Sequence, residues 1–215
     1  MRPSLLNSEQ SDRFNIADFL VDRHVREGRG AKAAILAGGQ QITYADLARE
    51  VNRVGNALVS EGVDVEQRVM LVLPDGPEFV AAYFGAMKIG AVAVPTSTNG
   101  HVEEYSYFLT ESRAKILFVD SAFWGEVGPA IAAQRHLRKA IVCGTPIAGQ
   151  ISWDEWLREP ACPPRSRVYP QGRRRILAMD VGKHGAAQGR RSSASRLGRV
   201  LRELRSRCAG NRIRR

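Results

Sequence analysis

Cysteine is scarce in this chain of 215 residues, which holds only Cys143, Cys162 and Cys208. An odd number at such wide spacing argues against a disulfide framework or a zinc knuckle and suits a reducing compartment. No apolar run approaches the roughly 18 residues of a membrane span. The first residues are polar, with neither a hydrophobic stretch nor a small-residue cleavage site, so nothing there reads as a signal peptide. A cytoplasmic location without a membrane partner is expected. His24, His101, His136 and His184 show no HExxH or other paired-ligand spacing, which argues against a metal centre. No serine stands in a GxSxG elbow. Cys143 has no recognisable base beside it and reads as a buried, inert thiol.

Acidic residues are scarce in one region. Residues 161–215 hold 16 Lys and Arg against two acids, Asp180 and Glu203, a net +14. The first 160 residues keep 16 bases against 20 acids, a net −4, so the whole-chain charge of +10 belongs to the tail. The chain divides accordingly into a globular body over 14–160 and a basic, low-complexity tail over 161–215 that is expected to be disordered. A tail of this charge offers the alternative of non-specific, salt-dependent nucleic-acid binding. With Tyr169 as its one aromatic it has no surface for stacking bases, so no specific nucleic-acid partner is expected. A second alternative is a non-catalytic interaction module, since Leu197, Val200, Leu201 and Leu204 fall at helical spacing.

The body alternates between strand and helix signals. Asn15 suits the N-cap of a helix over Ile16–Arg26 with Ile16, Phe19, Leu20 and Val25 on its apolar side. Lys32–Ala37 and Gln41–Thr43 read as a hairpin turned at Gly38-Gly39. Thr43 and Asp46 resemble a capping arrangement for a helix bearing Leu47, Val51, Val54 and Leu58, ended by Gly62. Arg68–Leu73 barely alternates and reads as a strand buried on both faces. Pro77 opens a helix to Ile89, Gly90 ends it, and Ala91–Pro95 is a further strand. Asn99 is the expected cap of a helix holding Val102, Tyr105, Phe108 and Leu109. Lys115–Asp120 is a strand, Ser121 caps a helix to about Arg135, and Lys139–Cys143 is another strand. Ser152 and Glu155 box a short helix with Trp153, Trp156 and Leu157. The alternation predicts an α/β fold, a largely parallel sheet flanked by helices.

The stretch Asp75–Pro95, DGPEFVAAYFGAMKIGAVAVP, resembles the strand–helix–strand unit in the N-terminal part of the adenylate-forming (AMP-binding) acyl-CoA synthetases. FNIADFLVDRHVREGRG and ITYADLAREVNRVGNAL are most similar to the benzoate-CoA ligase branch; EEYSYFLTESRAKILFVD and WDEWL follow in the same order. The resemblance implies an ATP-dependent acid–thiol ligase that forms an acyl-adenylate and then a CoA thioester. Its cofactors would be ATP, Mg and coenzyme A, and its substrate an aromatic carboxylic acid. The matched residues have structural roles as well: Gly85 and Ala86 let a helix approach a sheet, and Asp75 and Glu78 sit at a helix start where acids favour the dipole. No residue of this chain is therefore assigned a catalytic, cofactor-binding or metal role.

The same resemblance leads one to expect, further along, a Ser/Thr/Gly-rich loop ending in Pro-Lys, whose N–H groups and cation would hold phosphates. In the frame given it is absent. Asp180–Gly189, DVGKHGAAQG, has glycines without the pattern, and His184 after Lys183 excludes a Walker A loop. Read one base later, however, Met179–Gly189 can decode as Trp-Thr-Ser-Gly-Ser-Thr-Gly-Leu-Pro-Lys. Gln171–Ile176 can then give Arg-Asp-Asp-Ala-Ala-Phe, and Gly189–Leu197 Ala-Ala-Val-His-Leu-His-His-Asp-Trp. The expectation is an N-terminal ligase fragment, inactive as written, with a tail out of frame from between about Pro160 and Gln171.

Overall fold

A computed structural model describes residues 15–158. The tail, the alternatives placed on it and the out-of-frame segment lie outside the described residues.

Asn15 caps the first helical segment as expected, its Oδ1 accepting from the Ala17 and Asp18 amides at 2.9 and 3.4 Å. The segment runs as a π-helical stretch, Asp18–Asp22, into α1, Arg23–Arg26. The wider π turn rotates the inward face, because each turn takes up an extra residue. Ala17 and Val21 are buried, whereas Val25, expected on the apolar side, is exposed. The hairpin follows as β1, Ala33–Ala37, and β2, Gln40–Thr43, with Gly38 and Gly39 at φ +55° and +78°. Both values lie where a side chain strains the backbone, so the Gly-Gly pair fixes the turn.

Thr43 and Asp46 form the reciprocal box of α2, Tyr44–Ser60, which buries Leu47, Val51, Val54 and Leu58. Then come β3, Arg68–Val72; α3, Pro77–Ile89; β4, Val92–Pro95; α4, Val102–Ser112; and β5, Ile116–Asp120. A short 3-10 turn, Ser121–Phe123, leads into α5, Trp124–Ile131. The described chain closes with β6, Lys139–Cys143; β7, Ile151–Ser152; and α6, Trp153–Trp156.

Two caps and one helix end differ from the sequence reading. His101, not Asn99, precedes α4, and Glu104 Oε2 accepts from its amide at 3.0 Å. Asn99 is held upstream because the Tyr105 hydroxyl accepts from the Gly100 amide and donates to the Ser97 carbonyl, at 3.1 and 3.0 Å. Asp120 rather than Ser121 caps the turn before α5, accepting from the Ala122 amide at 2.9 Å. That helix stops at Ile131, short of Arg135, where Gln134 folds back and donates to the Ala130 and Ser106 carbonyls.

The five-stranded sheet has the order β4-β3-β5-β6-β7, every neighbouring pair parallel. Alternation along each strand sends side chains to opposite faces. Val69, Leu71, Ile116, Phe118 and Ile141 meet α2, α3 and α6 on one face. Met70, Val72, Leu117, Val119 and Val142 meet α4 and α5 on the other. The result is a three-layer α/β/α arrangement with the apolar strands buried on both sides.

Gly85 has a different use from the one expected. A Cβ there would lie 2.6 Å from Val54 Cγ1 and 3.3 Å from the Gly55 amide nitrogen, so the glycine lets α3 touch α2 rather than the sheet. Beside this contact the Lys88 ammonium, buried to 4% residue exposure, donates to both Asp22 oxygens at 2.8 and 2.7 Å and to Asn52 Oδ1. Asn15 Nδ2 donates to the Lys88 carbonyl at 3.1 Å. One ammonium thus joins the first helical segment, α2 and α3.

At the other end of α2, Glu61 accepts from Lys139 Nζ and from Trp156 Nε1, the latter at 3.3 Å. Trp156 and Trp153 in turn pack edge-on against Phe118. Glu61→Ala is expected to lower stability by about 1–2 kcal/mol, the worth of charge-assisted hydrogen bonds at a half-buried site. It should also shift tryptophan emission to the red as α6 loosens. Glu61→Gln keeps an acceptor for the indole and should retain most of the spectrum; identical urea midpoints for Glu61→Ala and the parent chain would contradict the assignment.

His24 stacks on Tyr44 at 4.1 Å between ring centroids and accepts from Arg29 Nε at 3.0 Å through Nδ1. Burial, then the charges of Arg29, Arg23 and Lys32, hold its pKa below the ordinary imidazole value, with Glu27 opposing. A lowered folded pKa favours the neutral ring, so this contribution is present above the unfolded pKa and is lost as pH falls through the folded one. Between about pH 7 and pH 5 the parent chain should therefore lose more stability than a His24→Gln variant. Parallel losses in the two chains would contradict this.

Candidate functional site

In open parallel sheets, ligands bind outside the carboxyl ends of the strands where the connections change direction. Here β3 and β5 are neighbours, yet the helix after β3 packs on one face and the helix after β5 on the other. A switch-point crevice there would be bordered by residues 73–76 after β3 and 121–123 after β5. Residues 96–101 after β4 and 144–146 after β6 flank it.

Each border is tied down by local bonds. Thr96 donates twice to the Leu71 carbonyl, through its amide at 2.9 Å and its hydroxyl at 3.1 Å. Tyr105, fully buried, clasps the Ser97–Gly100 loop through its hydroxyl as described. Ser121 Oγ accepts from the Thr145 amide at 3.1 Å and joins the loops after β5 and β6. These polar residues follow directly on apolar strands, which was the signal available in PTSTNG, DSAF and GTP. Periodicity alone treated them as turns.

The electrostatics of the crevice are one-sided. Cys143, at the end of β6, is buried, and burial raises its thiol pKa first, with Glu78, Asp120 and Asp154 adding to it. The raised pKa disfavours the reactive thiolate. The same three carboxylates make the carboxyl end of the sheet negative, and the bordering loops contain no Lys or Arg. No group of three or more His, Cys, Asp or Glu among the described residues could hold a metal ion that would offset this.

The amino end of the sheet is basic, with Arg68, Lys115, Arg138 and Lys139 close to the strand starts. Helices in this arrangement run against the strands and bring their carbonyl ends there, where cations are favoured. Arg68 Nε donates to the Ser112 carbonyl at the end of α4, and Arg138 donates to the Glu61 and Gly62 carbonyls at the end of α2. Lys139 is paired with Glu61. Arg68 and Arg138 thus serve helix ends. No helix among the described residues is long and apolar enough to cross a membrane.

The family described as AMP-binding enzyme matches this chain over residues 21–169. The 3-hydroxybenzoate–CoA ligase of Aromatoleum sp. (strain CIB) is 38% identical over 117 residues, 54% of this chain and 22% of that protein. The 4-hydroxybenzoate–CoA/benzoate–CoA ligase of Rhodopseudomonas palustris is 37% identical over 131 residues, 61% of this chain and 24% of that protein. The crystal structure of the anthranilate CoA ligase AuaEII in complex with anthranoyl-AMP superposes with a TM-score of 0.75 at 28% identity, covering 84% of this chain and 35% of that one. This chain spans less than a quarter of the length of the two curated relatives. The family match takes in both faces of the parallel sheet and its switch point, so the chain belongs to the AMP-binding enzyme family.

Proposed function

We propose that residues 15–158 are the N-terminal part of an ATP-dependent aryl-CoA ligase of the benzoate type. The overall reaction joins an aromatic carboxylate to AMP with release of pyrophosphate, then passes the acyl group to the thiol of coenzyme A with release of AMP. The observation that carries the substrate class is the naming of four relatives matched over more than half of this chain, all for benzoate or hydroxybenzoate; a crotonobetaine/carnitine–CoA ligase of Salmonella arizonae matches over 40% of the chain.

In this reading the described part is scaffold. It supplies a rigid sheet whose carboxyl-end loops are fixed by Thr96, Tyr105 and Ser121, and an acidic crevice with no cation of its own. The groups that hold ATP and Mg belong to segments beyond residue 158, so the chain as written is inactive. The body ends near residue 160, and the basic tail is an out-of-frame reading of ligase codons. A cytoplasmic location, where ATP and coenzyme A are supplied, is part of the same proposal.

The test is release of pyrophosphate by the purified 215-residue chain given MgATP and benzoate, 3-hydroxybenzoate, 4-hydroxybenzoate or 2-aminobenzoate. No release above the acid-free control is expected. Acid-dependent release would show that the chain carries its own phosphate site and would overturn the scaffold reading.

A further inference from the structure

Of the asparagines in the sequence, Asn99 alone is followed by glycine. The pair lies in the loop between β4 and α4, at the carboxyl end of the sheet. In such a dipeptide the backbone nitrogen of the glycine can attack the side-chain carbonyl of the asparagine, because no Cβ shields that nitrogen. Here Asn99 is exposed while Gly100 is buried.

Tyr105 accounts for both the glycine and its burial. Gly100 does not take a positive φ, so torsion does not demand a glycine. Space does: a Cβ there would lie 2.9 Å from Tyr105 Cζ and 3.1 Å from Cε1, and that ring is 0% exposed. The packing that requires glycine at this position thereby creates a labile dipeptide. The same tyrosine masks it. Its hydroxyl accepts the Gly100 amide proton at 3.1 Å and donates to the Ser97 carbonyl at 3.0 Å. Ser97 Oγ accepts from the Asn99 amide at 3.2 Å, so the loop is also fixed on the other side of Asn99. Attack needs the Gly100 nitrogen to release its proton and swing toward Asn99 Cγ. A proton held by a buried hydroxyl is not free to leave, the condition that also protects a buried amide from hydrogen exchange.

We infer that Asn99 is a site of spontaneous deamidation and that the Tyr105 hydroxyl holds the reaction in check. When the clasp opens, Gly100 N bonds to Asn99 Cγ. The bond from Cγ to the side-chain nitrogen breaks, and ammonia leaves with the proton displaced from Gly100. The five-membered imide then takes up one water. Opening at one carbonyl gives an aspartate, and opening at the other gives an isoaspartate whose extra methylene lies in the main chain. Either product adds a carboxylate to an end of the sheet that Glu78, Asp120 and Asp154 already make negative. The isoaspartate also lengthens the loop that Tyr105 clasps. Water is the sole co-reactant, and the inference does not rest on the ligase reading.

The test follows product at Asn99 by peptide mapping and mass spectrometry in the 215-residue chain aged at mildly alkaline pH. The native parent, the parent in urea and a Tyr105→Phe variant are compared. Tyr105→Phe keeps the ring and removes the hydroxyl. Loss of one neutral hydrogen bond, about 0.5–1.5 kcal/mol, should make deamidation about 2- to 13-fold faster than in the native parent. The parent in urea should exceed its native rate by at least as much. Exchange of the Gly100 amide should rise in the variant while the amides of β5 stay protected, which marks the opening as local. Asn99→Gln should suppress the product, because its longer side chain must close a larger ring. Equal rates in the native and urea-unfolded parent would overturn the inference, whatever Tyr105→Phe does to folding. So would a Tyr105→Phe chain with the parent's urea midpoint and the parent's rate.

Discussion

Asp22→Ala is expected to lower the stability of the 215-residue chain by about 3–5 kcal/mol, because it leaves a buried ammonium with no counter-ion. Lys88 is 5% exposed along its side chain and has both Asp22 oxygens within 2.8 Å. Replacing both partners by apolar residues of similar size, Asp22→Leu with Lys88→Met, should recover most of the loss, since it removes the stranded charge as well as the pair. Urea midpoints for the two variants decide the matter. A loss below about 1 kcal/mol for Asp22→Ala would place Lys88 in contact with solvent and contradict its role as the clamp between the first helical segment, α2 and α3.

Gly85→Val is expected to cost about 3 kcal/mol, at the upper end for added methyl groups in a packed core. Even a single Cβ would sit 2.6 Å from Val54 Cγ1 and 2.8 Å from Val54 Cβ, with the Gly55 backbone behind them. Neither atom is the free end of a long side chain, so relief requires α2 and α3 to separate. Gly85→Ala is a milder form, in which a helix-propensity gain of about 1 kcal/mol partly offsets the clash. Combined with Val54→Ala it should be less destabilising than the two single changes added together, with a coupling of at least about 1 kcal/mol. Strict additivity would mean that the two helices do not meet at this glycine.

The sequence made much of this fold legible because its local signals agree. Thr43 with Asp46, Pro77 with Gly90, and the apolar runs around Met70 and Leu117 each state an element and its end. The misses arise where a distant residue decides. Asn99 is the better cap by propensity, but Tyr105 occupies the Gly100 amide and moves the helix start to His101. Gly85 could be read as a close-packing position, yet only the fold shows that its neighbour is α2. Lys88 looks like a surface lysine near a helix end until Asp22, 66 positions earlier, is brought beside it. The carboxyl-end crevice was illegible for a related reason: its character lies in which loops adjoin and in the absence of cations from all of them.

The most direct test of the account is pyrophosphate exchange into ATP by the polypeptide translated from the frame-restored gene, assayed with and without aromatic acids. Exchange that requires MgATP and rises with benzoate or a hydroxybenzoate is predicted, together with loss of exchange when the lysine of the restored loop is replaced by alanine. A soluble, cooperatively folding, frame-restored protein that shows no acid-dependent exchange would contradict it.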